Sequence, residues 1–212
     1  MTSLAELALL FVVLSNFTVL GTSRLSACIR AIAFQGFLLA AIPLLLHPGL
    51  SWHVLTLAAG TAVIKAGLLP WLLRWAIREA AVRREVEPLI GYLPSVLLGA
   101  AALAVAFAIA SVLPLARVET DLLVPVALVT VMTGLMVLIT RSKAITQVVG
   151  YLMLENGIFL FGLTQFQRVA FLVEIGVLLD VFVGVFIMGI VVFHINREFD
   201  SISASRLTEL HD

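Results

Sequence analysis

Long apolar blocks are the feature that most restricts the fold of this sequence. Their length matches the roughly 20 residues with which a helix crosses about 30 Å of bilayer hydrocarbon. The blocks are continuously apolar, whereas the strands of a membrane barrel alternate apolar and polar residues. The sequence therefore predicts an all-α integral membrane protein with seven transmembrane helices, over residues 4–20, 26–46, 53–75, 89–113, 122–140, 144–164 and 169–193.

Composition argues against several other classes of protein. The chain is 62% apolar and 12% charged, against about 45–50% and about 25% in a soluble domain. Cys28 is the single cysteine, so the chain has neither an internal disulfide nor the thiolates for an iron–sulfur cluster. The four histidines are scattered, without the spacing of a metal site. We therefore expect no metal centre and no cofactor within this chain. We also expect no nucleic-acid partner.

Basic residues are distributed unequally between the predicted loops. They follow the first, third, fifth and seventh spans, whereas the alternate loops hold only Arg117 and Arg168. Cytoplasmic loops of membrane proteins carry the excess of lysine and arginine. The pattern predicts an N-terminus outside and a C-terminus in the cytoplasm, and it supports the count of seven.

Ionisable residues also occur inside the predicted spans. Lys65, Glu155 and Asp180 lie near the middle of the third, sixth and seventh spans. Glu174 lies about one and a half turns into the seventh. Each charge at the bilayer centre costs about 2.5–3.5 kcal/mol on insertion scales. One interpretation is an interhelical salt bridge that serves assembly only. The other, which we favour because Lys65 neutralises only one carboxylate, is a proton relay.

Small and polar residues accompany these charges. Gly176 and Gly184 flank Asp180 at four-residue spacing, so a neighbouring helix is expected to approach this carboxylate closely. Asn156 is placed to form a hydrogen bond across helices. Pro70 lacks an N–H group and frees a backbone carbonyl one turn earlier, which predicts a kink and a wet cavity beside the lysine.

The C-terminal half carries a resemblance to a known family. The run Arg141-Ser-Lys143, followed by Gly150-Tyr-Leu-Met-Leu-Glu155-Asn-Gly157, resembles the second span of the small K-type subunit of respiratory complex I. The counterpart of that subunit in multisubunit cation/proton antiporters has the same features. The run Leu178-Leu-Asp180-Val-Phe-Val-Gly184 resembles the next helix, although an aspartate stands where glutamate is usual in complex I.

The four additional N-terminal spans make the resemblance more specific. With Lys65 and Pro70 in the third span and the run Val173-Glu-Ile-Gly176 ahead of Asp180, the chain is similar to the hydrogenase-4 component E family. Members are membrane subunits of group 4 NiFe-hydrogenase and formate hydrogenlyase complexes. The resemblance implies four N-terminal transmembrane helices in residues 1–114, a three-helix K-type unit in 115–196 and a cytoplasmic tail in 197–212.

This resemblance implies a non-catalytic subunit of an oxidoreductase complex that couples electron transfer to translocation of protons or sodium. Glu155 and Asp180 would be proton carriers, Glu174 would extend the relay toward the outside, and Lys65 would tune a carboxylate or shuttle a proton itself. The nickel–iron and iron–sulfur centres would belong to partners. These would be hydrogenase-like large and small subunits, iron–sulfur subunits and antiporter-like membrane subunits. The complex would lie in a bacterial or archaeal plasma membrane, in contact with its lipid.

Two other functions fit the same sequence. The first is a subunit of a multisubunit cation/proton antiporter, or of an ion-uptake complex, that has no redox partner. The second is a scaffold whose buried charges only define how the helices pack. Neutralising Glu155 would then damage assembly as much as activity.

Overall fold

The computed structural model of the chain describes residues 2–46, 52–79, 89–113, 120–164, 180 and 182–189. Every regular element in these residues is helical. The elements are α1 (Thr2–Gly21), α2 (Leu25–Leu46), α3 (Trp52–Thr61), a π-helical segment (Ala62–Leu68), α4 (Leu69–Glu79), α5 (Tyr92–Val112), α6 (Leu123–Thr140) and α7 (Ala144–Leu163). Residues 180 and 182–189 are also helical.

Six helices in the described part of the chain are long and apolar enough to cross a membrane. They coincide with the first six predicted spans, and α3, the π-helical segment and α4 together form the third, Val54–Arg78. These helices indicate a multi-pass membrane protein. The seventh predicted span lies mostly outside the described residues, so the count of seven stays a prediction. So do the orientation in the membrane and the division at residues 114/115 and 196/197.

The third span changes its helical register next to Pro70. The N–H group of Leu69 bonds to the carbonyl of Ile64, five residues earlier, which is the π-helical pattern. Pro70 is the second residue of α4 and donates no N–H, and its ring crowds the carbonyl four residues before it. A wider turn ahead of the proline relieves this crowding. Such segments are frequently found at functional sites, and Lys65 lies in the middle of this one.

Four helices form the centre of the molecule. Contacts join α1 to α2 and α6, α2 to α7, and α6 to α7. The span made of α3, the π-helical segment and α4 packs against α2, and α4 also reaches α7. Helix α5 packs on the outside against α1 and α6. Its buried residues are all small, namely Ser95, Gly99, Ala102 and Ala106, so its large side chains face outward.

Glycines bring α6 and α7 together at backbone distance. A Cβ atom added to Gly150 would lie 2.6 Å from the Leu138 nitrogen, and one added to Gly157 would lie 2.6 Å from the Val131 nitrogen. A Cβ atom on Gly134 would collide with the backbone of α7 in the same way. Since the obstacle is backbone in each case, glycine is what permits this packing.

Candidate functional site: a lysine between two buried carboxylates

Lys65, Glu155 and Asp180 meet inside the helix bundle. The Lys65 Nζ atom lies 2.5 Å from Glu155 Oε1 and 3.2 Å from Asp180 Oδ1, and the ammonium group donates a hydrogen bond to each. The relative exposures of the three residues are 5%, 2% and 4%. We call these residues the charged triad. Helix packing thus brings together three of the four residues proposed from the sequence as a proton relay.

Two features of the backbone position Lys65. The first is the π-helical segment that contains it. The second is Gly36 in α2, where an added Cβ atom would lie 2.6 Å from the carbonyl carbon and oxygen of Lys65 and 2.9 Å from its Cβ atom. Helix α2 therefore lies directly against the lysine backbone. No sequence signal singled out Gly36, because its role depends on which helix lies opposite.

Glu155 lies on α7 between Gly150 and Gly157, the two glycines that touch the backbone of α6. Its Oε1 atom accepts from Lys65, whereas its Oε2 atom is buried and has no hydrogen-bond partner among the described residues. A buried carboxylate oxygen without a partner is unfavourable while it carries charge. A proton on Glu155 would remove the charge and reduce this penalty, so the geometry suits a group that takes up and releases protons.

Asp180 is held by Lys65, but much of its predicted surroundings lies outside the described residues, including Glu174 and Gly176. Gly184, one turn further along, is within them. An added Cβ atom at Gly184 would meet Leu72 of α4 at 3.8 Å, which is ordinary van der Waals contact. The approach at Gly184 is therefore looser than the backbone contact at Gly150 and Gly157.

A chain of side-chain hydrogen bonds crosses the bundle beside the triad. Asn156 donates to Gln35 over 2.9 Å, Gln35 donates to Asn16 over 2.8 Å, and Asn16 donates to Thr130 over 2.9 Å. Thr130 donates in turn to the carbonyl of Val126. All four polar side chains are at most 2% exposed. The chain runs from α7 through α2 and α1 to α6, so it joins all four central helices.

These four residues form a polar layer between two apolar clusters, with one residue from each central helix. The first cluster lies near the α1–α2 turn and includes Leu20, Ile29, Val137 and Met153. The second lies toward the other end and includes Leu9, Leu39, Ala127 and Leu160. Glu155 precedes the Asn156 member of the layer, so triad and layer lie at about the same depth.

Arg141 is a buried residue whose role the sequence did not reveal. Its position after the fifth span suggested a loop charge, yet it is only 1% exposed. It donates hydrogen bonds to the carbonyls of Leu20 and Ile90, and its guanidinium carbon lies 4.6 Å from the centre of the Tyr92 ring. The end of α1, the start of α5 and the end of α6 therefore meet on one side of the bundle.

The charged triad suits proton binding better than metal binding. Its one ammonium group faces two carboxylates, so the triad carries a net negative charge when all three residues are ionised. Its lysine occupies the position between the acids that a metal ion would need. Across the residues whose placement is described, no group of three or more histidine, cysteine, aspartate and glutamate side chains is arranged to hold a metal ion.

Comparison with known proteins identifies one relative of this chain. No family model matches it, and no solved structure matches it. It is 36% identical to the uncharacterized protein Rv0085 of Mycobacterium tuberculosis over 206 residues, covering 94% of this chain and 92% of that protein. The chain belongs to the family of this mycobacterial protein. The match covers nearly the whole length of both proteins, so the similarity extends across the N-terminal helices as well as the C-terminal region.

Proposed function

We propose that the protein is a non-catalytic membrane subunit of a complex-I-like redox complex of the group 4 hydrogenase type. In this role the charged triad takes part in proton or sodium translocation coupled to electron transfer. The observation that carries its role in translocation is the contact of one buried ammonium group with two buried carboxylates. The redox type of the complex rests on the sequence resemblance. A bundle that needed only a structural ion pair would be expected to hold one acid opposite Lys65.

The excess acid gives the site a chemical use. When Glu155 binds a proton, Lys65 and Asp180 remain as a balanced pair. When the proton leaves, the lysine is shared between two carboxylates. Both states keep the ammonium group paired, which limits the electrostatic penalty of moving a proton through an apolar bundle. Glu174 would continue this route toward the outside.

The proposal includes partners and a location. The nickel–iron and iron–sulfur centres would lie in hydrogenase-like large and small subunits and in iron–sulfur subunits, beside antiporter-like membrane subunits. The proposed location is a bacterial or archaeal plasma membrane, and the relative comes from a bacterium. The basic loops support a chain whose N-terminus faces outside and whose C-terminus faces the cytoplasm.

A cation/proton antiporter subunit is the second candidate, because a buried lysine–carboxylate group binds protons without any redox partner. The two candidates share the triad and differ in the proteins around it. A gentle-detergent pull-down of the tagged protein from native membranes, followed by mass spectrometry, separates them. Recovery of a hydrogenase-like large subunit with iron–sulfur proteins supports the redox complex. Recovery of antiporter-like subunits alone supports the second candidate.

Neutral substitutions test whether the triad moves protons. Glu155→Gln and Asp180→Asn each remove one acid and leave Lys65 paired with the other, so the complex should still assemble. We expect at least a tenfold loss of coupled proton uptake in inverted membrane vesicles, with the amount of assembled complex unchanged. The matched controls are Glu6→Gln and Asp121→Asn, which replace acids outside the triad. Wild-type proton uptake in both triad variants would refute the relay, and loss of assembly equal to loss of uptake would indicate a scaffold.

A further inference from the structure

A groove on the outer surface of the α1–α2 hairpin combines an arginine with an apolar bed. The cavity has a volume of about 310 Å³ and lies between the two helices. Small side chains, Ser15 and Ala31 among them, form its floor. Exposed Phe11, Leu14 and Phe34 form its walls. The two phenylalanine rings are 6.0 Å apart in an edge-to-face arrangement.

The polar groups of this groove lie at the end nearest the α1–α2 turn. Arg30 lies five residues from the start of α2, and Thr18 three residues from the end of α1. At 1.5 Å per residue these positions are about 8 Å and about 5 Å from the hairpin end. Phe11 and Phe34 lie about 15 Å from it. The groove therefore has a basic mouth near the depth of lipid headgroups and an aromatic wall near the bilayer centre.

Arg30 is exposed and is the only charged residue of helix α2, and no ion pair joins it to any other residue of the described part of the chain. A long basic side chain at this depth extends along the helix until its charge reaches the interface. Basic pockets between transmembrane helices bind anionic lipid headgroups. The groove beside Arg30 is lined further along by the apolar side chains of Phe11, Leu14 and Phe34, which can receive an acyl chain.

We propose that the α1–α2 groove is a binding site for an anionic phospholipid. The phosphate group pairs with Arg30 at the mouth, and one acyl chain lies along the apolar bed, against Phe11 and Phe34. Charge complementarity and the depth of the two phenylalanines select this occupant. The site is separate from the charged triad and does not depend on the proposed redox function.

Native mass spectrometry of the purified full-length protein, stripped of lipid and titrated with phosphatidylglycerol or phosphatidylcholine, tests the site. Arg30→Gln should weaken phosphatidylglycerol binding about fivefold and leave phosphatidylcholine binding unchanged. Phe34→Ala should weaken both lipids, because it removes a wall of the acyl-chain bed. Arg24→Gln and Phe37→Ala are the matched controls, since both residues are exposed on the same hairpin but outside the groove. They should bind both lipids as the wild type does.

Several outcomes would overturn the assignment. Equal losses in Arg30→Gln and Arg24→Gln would indicate diffuse attraction to the basic end of the hairpin. Displacement of the lipid by inorganic phosphate, with no effect of Phe34→Ala, would indicate a plain anion site. Lipid that binds the isolated chain but is absent from the native assembly would mean that a partner helix fills the groove.

Discussion

Lys65 offers one ammonium group to two carboxylates, and this ratio determines how substitutions in the triad should behave. Removing an acid leaves a balanced pair, whereas removing the lysine leaves two acids in an apolar bundle. Substitutions within the same three residues should therefore differ sharply in their effect on stability. A merely structural ion pair would make the loss of either partner comparably harmful.

We expect Lys65→Met to destabilise the protein by about 3–5 kcal/mol, because it leaves buried charge without a counter-charge. Glu155→Gln should cost much less, and adding it to Lys65→Met should restore part of the loss, since one uncompensated acid is removed. Unfolding of the four proteins in detergent, analysed as a double-mutant cycle, measures these differences. Equal stability of Lys65→Met and the wild type would contradict the expectation.

At the scale of the helix, the site depends on one departure from ordinary helix geometry and on one close contact between helices. One is the π-helical segment that carries Lys65 ahead of Pro70. The other is the backbone contact of α6 with α7 through Gly134, Gly150 and Gly157. The sequence indicated that Pro70 would disturb its helix. The π register, and the lysine at its centre, became visible only in the structure.

Gly157→Ala tests the α6–α7 contact. The added methyl group would meet Val131 N at 2.6 Å and Ala127 O at 2.9 Å, so α7 must shift away from α6. We expect a loss of about 1–3 kcal/mol, as for other overpacked interiors, and a weaker Lys65–Glu155 contact. Gly60→Ala is the control, because an added Cβ atom there meets nothing within 4 Å. Thermal unfolding in detergent should show a lower Tm for Gly157→Ala and no loss for Gly60→Ala. Equal effects would mean that the helices separate without cost.

At the scale of the whole molecule, Arg141 ties the end of α1, the start of α5 and the end of α6 to one side of the bundle. A backbone hydrogen bond from Leu89 to Thr140 joins the same side. This arrangement fits the prediction that successive spans run in alternate directions. It does not distinguish the cytoplasmic side from the outside, which the basic loops predict separately.

Cysteine labelling tests this orientation. Cys28 is the single cysteine and is only 2% exposed, so labelling of the unmodified chain should be low. In intact cells, a membrane-impermeant maleimide should label Trp52→Cys and Asp121→Cys, which lie on the predicted outer side. Ser26→Cys and Leu89→Cys, on the predicted cytoplasmic side, should react only after the cells are opened. The reverse pattern would invert the orientation, and a mixture within either pair would refute the alternation of spans.

Hydropathy and charge, both properties of single residues, were enough to locate the six described membrane-length helices and the ionisable residues inside them. They also identified Asn156 as a candidate for a bond across helices. They did not reveal that Lys65 reaches both acids, that Gly36 lies against its backbone, or that Arg141 is buried. The contacts of the triad and of the polar layer join residues that are far apart in the sequence. Lys65 and Glu155 are separated by 90 positions, and Gln35 and Asn156 by 121. They depend on the rotation of each helix about its axis and on which helix lies opposite, and only the tertiary structure decides these.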